Sequence, residues 1–260
     1  SENRNFQIYA FLTGQDPYID PPYSIQRQPA DDNWAELKRF DTRIVDIPFI
    51  VPSPNDSRNV RSQFNGANVV ISGNTRFDKS WVLQRKALTR VGVSRITKRT
   101  KSQESCRKIV FMLSKLEYGV EVNNLIETIN RCACLNNTTV IIKPHTRGMN
   151  ASNLVSKLKS SVIDGSGYSS SDLVEWADYL LFNGSSIAFH ALVLKKQVIY
   201  LKYCQKYKSI FDNCESLLVA ACIDDVHGHL FYSRRLNINE EKLKRFLSFH
   251  VYNGSDDGLI

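Results

Sequence analysis

Two apolar hexapeptides constrain this chain most. Lys108–Leu113 (KIVFML) and Thr138–Lys143 (TTVIIK) are hydrophobic at consecutive positions rather than at alternate ones. Successive strand residues point to opposite faces, so such a run needs cover on both sides. Around them the spacing turns helical. The expected series is helix Val122–Cys132, helix Ala151–Lys159, a short strand near Val162, helix Ser171–Ala177, strand Tyr179–Phe182, helix Ser186–Leu194 and strand Gln197–Leu201. This alternation predicts an α/β fold, a Rossmann-like doubly wound parallel sheet with helices on both faces. A last helix is expected at Ile238–Phe249, capped by Asn239, with Leu243, Phe246 and Leu247 on one face.

The rhythm upstream is different. Seven of the eight prolines lie between Pro17 and Pro54, where they break the chain into short strand candidates, Phe6–Leu12 and Arg43–Ile50. Asn68–Ser72 is another, and Lys79–Val91 has helical spacing. Between the two parts, Arg95–Lys108 holds six Lys/Arg against one Glu and reads as a solvated basic linker. The expected division is a shortened N-terminal, acceptor-side α/β portion over 1–94, the linker over 95–107, a nucleotide-binding domain over 108–252 and a frayed tail over 253–260.

Charge narrows the partners. A net charge of +8 calls for an anionic partner, but the basic residues are diffuse and accompany no zinc-finger, helix-turn-helix or RNA-binding signature, so nucleic acid is not expected. Neither a bilayer-length apolar run nor a signal-peptide pattern is present, which makes cytoplasmic residence the expectation, peripheral association with the inner membrane face being compatible with it. Cys106, Cys132, Cys134, Cys204, Cys214 and Cys222 have no metal-ligand spacing and read as buried free thiols. His227 and His229 suit an exposed strand or turn. No metal and no cofactor are assigned.

In doubly wound sheets ligands bind beyond the carboxyl ends of the strands. The loop after TTVIIK gathers Lys143, His145, Thr146 and Arg147, a set suited to phosphate oxygens and to a leaving group. The loop after YLLF opens with Asn183, Gly184, Ser185 and Ser186. Its glycine permits close backbone approach, its serines offer hydroxyls and N-caps, and the following helix presents amides to an anion. The loop after KIVFML supplies Lys115, a further phosphate contact, and Glu117, the candidate base or nucleophile.

With these residues in view, the order VIIKPHTR followed by SSSDLVEWADYLLFNGSSIAFHALVLKKQVIYL resembles the C-terminal nucleotide-binding half of GT-B glycosyltransferase-like proteins of bacterial surface polysaccharide synthesis. Members include CMP-sialic acid and CMP-Kdo transferases, CDP-glycerol glycerophosphotransferases and capsule-synthesis proteins; hydrolysing UDP-GlcNAc 2-epimerases share the fold. NVVISGNTRFDKSW looks like the Gly-x-x-Arg-Phe-Asp-x-x-Trp segment that joins the two domains in such proteins. The resemblance covers roughly residues 33 to 201.

It implies that His145, Ser185 and Ser186 hold the donor's phosphate and ribose, with Arg76 reaching the donor and Asp78 a second catalytic candidate. Thr146 replaces the proline of the motif, and His190 stands where an acid is common, reading here as a core-facing residue. Gly14, Gln15 and Asp16 occupy the acceptor-side loop, without the family's histidine. The implied activity is metal-independent transfer of a sugar or polyol from a cytidine-nucleotide donor to a glycan or glycolipid acceptor. A UDP-GlcNAc 2-epimerase-like enzyme and a non-catalytic nucleotide-sugar-binding subunit are the alternatives.

Overall fold

The computed structural model describes residues 10–11, 48–63, 66–100, 105–116, 118–145, 154–231 and 239–252. They fall into two compact units. One joins residues up to Lys79 with those from Lys244 onward, and the other is built on Ser80–Leu243.

The first unit holds a parallel sheet of strands β1 (Ala10–Phe11), β2 (Phe49–Val51) and β3 (Val69–Ile71), in that spatial order. Helix α1 (Pro54–Gln63) starts where its sequence says it should. The Asp56 amide donates to Ser53 Oγ at 3.2 Å, the Ser53 hydroxyl donates to Asp56 Oδ2, and Pro54 takes the first helical position, where no amide hydrogen is needed. Val51, Val60 and Ala67 form the small core between helix and sheet. The chain's last described residues return to this unit, where the Tyr252 hydroxyl donates to the Phe77 carbonyl at 3.2 Å.

Helix α2 spans Lys79–Thr100, nine residues beyond the expected end at Val91. It absorbs residues 95–100 of the segment read as a linker; residues 101–104 lie outside the described set. The expected end rested on the apolar spacing, which runs out at Val91; Gly92, the next residue, is an interior helical residue in the structure. A Cβ there would lie 2.3 Å from the Asp172 carboxyl carbon, so glycine serves close packing rather than termination. Ile96, fully buried one turn later, supplies the apolar contact that keeps the last turns helical.

The second unit follows as β4 (Arg107–Met112), α3 (Val122–Ala133), β5 (Thr138–Lys143), β6 (Ile163–Asp164), α4 (Ser170–Trp176), β7 (Tyr179–Phe182), α5 (Ile187–Val193), β8 (Gln197–Leu201), β9 (Leu218–Ala220) and α6 (Ile223–Phe231). The strands form one parallel sheet in the order β6-β5-β4-β7-β8-β9. Ile109, Phe111, Leu181 and Ile199 pack with Leu125, Ile129, Val226 and Leu230 of α3 and α6. Val110, Met112, Leu180, Phe182 and Tyr200, of the other parity, are buried as well. On that side Phe182 meets Phe211 edge to face at 4.8 Å. Both faces are thus covered, as the consecutive apolar runs require.

Several expectations are corrected. β9 and α6 carry no strong sequence signal and were not anticipated. His227 and His229 sit in α6, half-buried, with His229 Nε2 3.0 Å from the Val219 carbonyl oxygen. The expected helix Ala151–Lys159 is helical only at Leu154–Val155 among its described residues. All six cysteines are free, but only Cys132, Cys204 and Cys214 are buried. The final helix α7 (Glu240–His250) is capped as expected, the Lys242 amide donating to Asn239 Oδ1 at 3.1 Å. The tail 253–260 lies outside the described residues.

Candidate functional site at the reversal of the six-stranded sheet

The chain lays β5 and then β6 on one side of β4, and afterwards places β7, β8 and β9 on the other. The connections leaving β4 and β7 therefore run to opposite sides, and doubly wound sheets take ligands in the crevice at the carboxyl ends of such strands.

Polar groups join those loops. The Ser114 amide donates to Asn183 Oδ1 at 3.2 Å, and the Asn183 carbonyl accepts from Gln205 Nε2 at 2.9 Å. Gln205 Oε1 accepts from the Lys206 amide at 3.0 Å, while Lys206 and Glu121 donate to the carbonyls of Gly119 and Cys204 at 2.9 and 3.0 Å. The loops after β4, β7 and β8 form one connected floor. Gly119 makes the stitch possible: its φ is +67° and a Cβ there would lie 2.5 Å from the Tyr207 ring.

Two atoms in this floor are left over. Ser114 Oγ and Asn183 Nδ2 are buried and have no hydrogen-bond partner among the described residues. Ser114 is 4% exposed and Asn183 0%. A buried polar atom without a partner costs roughly 1–3 kcal/mol, so the pair, an amide donor beside a hydroxyl that can donate, suits a ligand group that accepts, such as a phosphate or a sugar hydroxyl.

Lys143, at the end of β5 and 7% exposed, donates from Nζ to the Ser166 carbonyl at 2.9 Å. Burial lowers its pKa, and the nearby Asp164 carboxylate opposes that shift. Asp164 itself accepts from the Ser166 amide and hydroxyl at 2.8 and 2.6 Å. The lysine thus ties β5 to the turn after β6, leaving a cation near the crevice in a poorly solvated setting. His145 follows, half-buried.

Gly184 is buried with φ +146°, a conformation that favours glycine. Ser186 differs from the expected N-cap. Its φ and ψ of −63° and −13° are already helical and its side chain caps nothing. Instead Ala188 and Phe189 donate to the carbonyls of Ser185 and Ser186 at 3.1 and 3.2 Å. A tight turn therefore consumes two amides that the sequence reading offered to an anion, and both serine hydroxyls stay uncommitted among the described residues. His190 is buried, 4% exposed, in keeping with a core-facing residue.

Lys115 is half-buried with its ammonium 5.1 Å from the centre of the Tyr118 ring. In the first unit, Arg76 is exposed, its amide donating to Asn74 Oδ1 at 3.1 Å and its guanidinium 5.4 Å from the Phe77 ring centre. Asp78 is buried there, 6% exposed. Glu117, Thr146, Arg147, Gly14, Gln15 and Asp16 lie outside the described residues. Sequence reasoning gave no role to Ser114, Asn183 or Gln205, although Asn183 directly follows β7 and Ser114 comes two residues after β4, the strands flanking the reversal. Among the described residues no group of three or more His, Cys, Asp or Glu is placed to hold a metal ion, and no helix is long and apolar enough to cross a membrane.

No family profile and no curated protein matches this chain. Solved structures do. The wall teichoic acid polymerase TagF is similar at a TM-score of 0.60 and 15% identity, over 94% of this chain and 64% of TagF. A structure of a TagF variant soaked with CDPG gives 0.57 and 14%, over 98% and 66%. A glycosyltransferase from Rickettsia africae gives 0.53 and 13%, over 82% and 63%. UDP-GlcNAc 2-epimerase of Methanocaldococcus jannaschii, in complex with UDP-GlcNAc and UDP, gives 0.54 and 16%, over 80% and 58%. This chain spans less than two thirds of the length of each. At these identities the likeness is one of fold, and it joins the strand order to a definite architecture: the α/β chain has the GT-B-like, Rossmann-type fold of TagF.

Proposed function

We propose that this chain is a GT-B-type glycosyltransferase of surface-glycan synthesis, binding a nucleotide-activated donor against the carboxyl ends of β4, β5 and β7. The observation that carries the reading is the buried, unpartnered pair Ser114 Oγ and Asn183 Nδ2 at the sheet reversal. The donor we assign is cytidine-linked, CMP-Kdo-like, CMP-sialic-acid-like or CDP-glycerol-like. Its support is the Lys143-Pro144-His145 turn followed by Ser185-Ser186, together with a fold that TagF carries in a structure soaked with CDPG.

In this reading Asn183 Nδ2, the Ser114, Ser185 and Ser186 hydroxyls and Thr146 hydrogen-bond the donor, while Gly184 lets its phosphate approach the backbone. Lys143, His145, Arg147, Lys115 and Arg76 balance the phosphate charge, which grows as the leaving group departs. An acceptor hydroxyl, brought by the side that holds Gly14, Gln15 and Asp16, attacks the transferred group. The bond to the nucleotide phosphate oxygen breaks and its electron pair leaves on that phosphate. Glu117 takes the acceptor proton, with Asp78 the alternative base.

Calorimetric titration with CMP, CDP, UDP and their sugars tests the reading, coupled to a transfer assay. Cytidine nucleotides are expected to bind and His145→Ala to abolish binding. Glu117→Gln is expected to cut turnover by about 100-fold or more with donor affinity nearly kept. Conversion of UDP-GlcNAc to its 2-epimer would replace this reading with an epimerase. Nucleotide binding without transfer or hydrolysis would make the chain a binding subunit.

A further inference from the structure

The end of α3 carries a contact unlike an ordinary surface hydrogen bond. Lys159 Nζ lies 2.5 Å from Cys134 Sγ. That is shorter than a hydrogen bond to sulfur, which the large sulfur atom keeps longer than one to oxygen, and longer than a direct sulfur–nitrogen bond. It is the separation of two atoms joined through one oxygen. Cys106 offers a comparison, its sulfur 3.1 Å from Thr139 Oγ1.

The backbone imposes the approach. Cys134 caps the C-terminus of α3, its amide donating to the Arg131 carbonyl at 3.1 Å. Asn130 stands four residues earlier, on the same face. Its Oδ1 accepts from the Lys159 amide at 2.9 Å, and its Nδ2 donates to the Lys157 carbonyl at 3.3 Å. One asparagine thus grips the chain on both sides of Leu158 and sets the Lys159 backbone against the end of the helix. The Val162 amide donates to the Lys159 carbonyl at 2.9 Å, turning the chain into β6. Cys134 and Lys159 are both exposed, so a small solute reaches them.

We propose that Cys134 and Lys159 form an oxidative modification site, where a peroxide joins them through a single oxygen and fastens α3 to the segment entering β6. Neither residue belongs to the donor site, so the proposal stands whether or not that reading does. The Cys134 sulfur attacks one hydrogen peroxide; the O–O bond breaks, a sulfenic acid forms and water leaves. The Lys159 amine, its extra proton lost to solvent, attacks a second peroxide in the same way and gives a hydroxylamine and water. The hydroxylamine oxygen then bonds to the sulfenic sulfur and displaces its hydroxyl as a third water, leaving S–O–N. Sulfur and nitrogen each lose two electrons, and each peroxide gains two. The fastened element is a weak one: β6 has two residues and lies at the edge of the sheet, paired with β5. Cys222 is the built-in comparison, exposed but set beside a carboxylate, its amide donating to Asp225 Oδ2 at 3.1 Å.

The test exposes the whole reduced protein to hydrogen peroxide and reads intact and peptide masses. One oxygen gained and two hydrogens lost give an expected increase of about 14 Da, carried by a cross-linked pair of peptides holding Cys134 and Lys159. Lys159→Arg keeps the charge but offers no amine, so the link should vanish and Cys134 should gain about 16 or 32 Da instead. Cys222→Ser should leave the link unchanged. Oxidised wild type should melt about 5 °C above the reduced protein, and oxidised Lys159→Arg should not. Lys159 is exposed, so the reduced variant is expected to melt like the reduced wild type; should it fold poorly, the wild-type peptide map decides alone. Cys134 found only as sulfenic or sulfinic acid in the wild type overturns the proposal. So does a loss of about 2 Da, which marks a direct sulfur–nitrogen bond, or a disulfide between two copies. A link that leaves the melting temperature unchanged overturns the fastening.

Discussion

The backbone amide of Ser114 donates to the side-chain oxygen of Asn183 at 3.2 Å, bridging the ends of β4 and β7 where the strand order reverses. That contact fixes the orientation of the Asn183 amide. With Oδ1 committed to Ser114, the Nδ2 hydrogens point elsewhere and meet no hydrogen-bond acceptor among the described residues. The bridge thus joins the two strand ends and leaves a buried donor without a partner among the described residues.

Ser114→Ala removes one orphan atom and leaves the amide bridge intact. The ligand-free protein is expected to be unchanged or more stable by about 1 kcal/mol, since an unsatisfied hydroxyl leaves the interior. Nucleotide affinity should meanwhile fall by roughly tenfold, the equivalent of one hydrogen bond to a charged group. Calorimetry and thermal unfolding on the same samples check both signs. A loss of stability with unchanged affinity would assign the hydroxyl to the fold.

Gly119→Ala tests the stitch between the loops after β4 and β8. The substitution meets both a positive φ of +67° and the Tyr207 ring, 2.5 Å from the new Cβ. A destabilisation of about 1–3 kcal/mol is expected. Adding Tyr207→Ala should recover part of that loss by removing the clash, while the backbone strain remains. Denaturant unfolding of the single and double variants gives the comparison.

His250, in the first unit, has its pKa lowered to about 4 by burial and, secondarily, by the Arg58 guanidinium. Phe246 and Phe249 pack around its ring at 4.6 and 4.9 Å. In the unfolded chain it titrates near 6.5, so between these values the unfolded state binds more protons. Stability therefore rises with pH through that window and falls as pH drops from 6.5 towards 4. His250→Gln should flatten this part of the profile of melting temperature against pH.

The cysteines divide by environment. Burial pushes the thiols of Cys132 and Cys204 up to about 12 and that of Cys214 up to about 11. Cys134 and Cys222 are exposed. Iodoacetamide applied to the folded protein at about pH 8 should modify those two first and spare the buried three. Mass spectrometry of the labelled peptides reads the order.

The α/β architecture was legible because β4, β5, β7 and β8 are apolar at consecutive positions, a pattern that only burial on both faces satisfies. The limits of β5, β7 and β8, those of β4 to within one residue, the Asn239 cap and the burial of His190 were legible for the same kind of local reason. The length of α2 was not. The apolar spacing runs out at Val91, and the close approach of Asp172 to Gly92, eighty residues apart in the chain, cannot be read from it. Ser186 reads as a cap until its own backbone angles make the hydroxyl redundant.

The candidate site divides along the same line. Its loops were expected, since they follow strands and carry Lys143, His145, Ser185 and Ser186. The residues at its centre were not. A sequence cannot state that the loop after β7 returns beside the loop after β4, because strand neighbours in a parallel sheet are chosen by crossover connections and not by proximity in the chain. Only that lateral order sets Ser114 against Asn183 across 69 residues, and only burial by the surrounding loops leaves the Ser114 hydroxyl and the Asn183 amide nitrogen without a hydrogen-bond partner among the described residues.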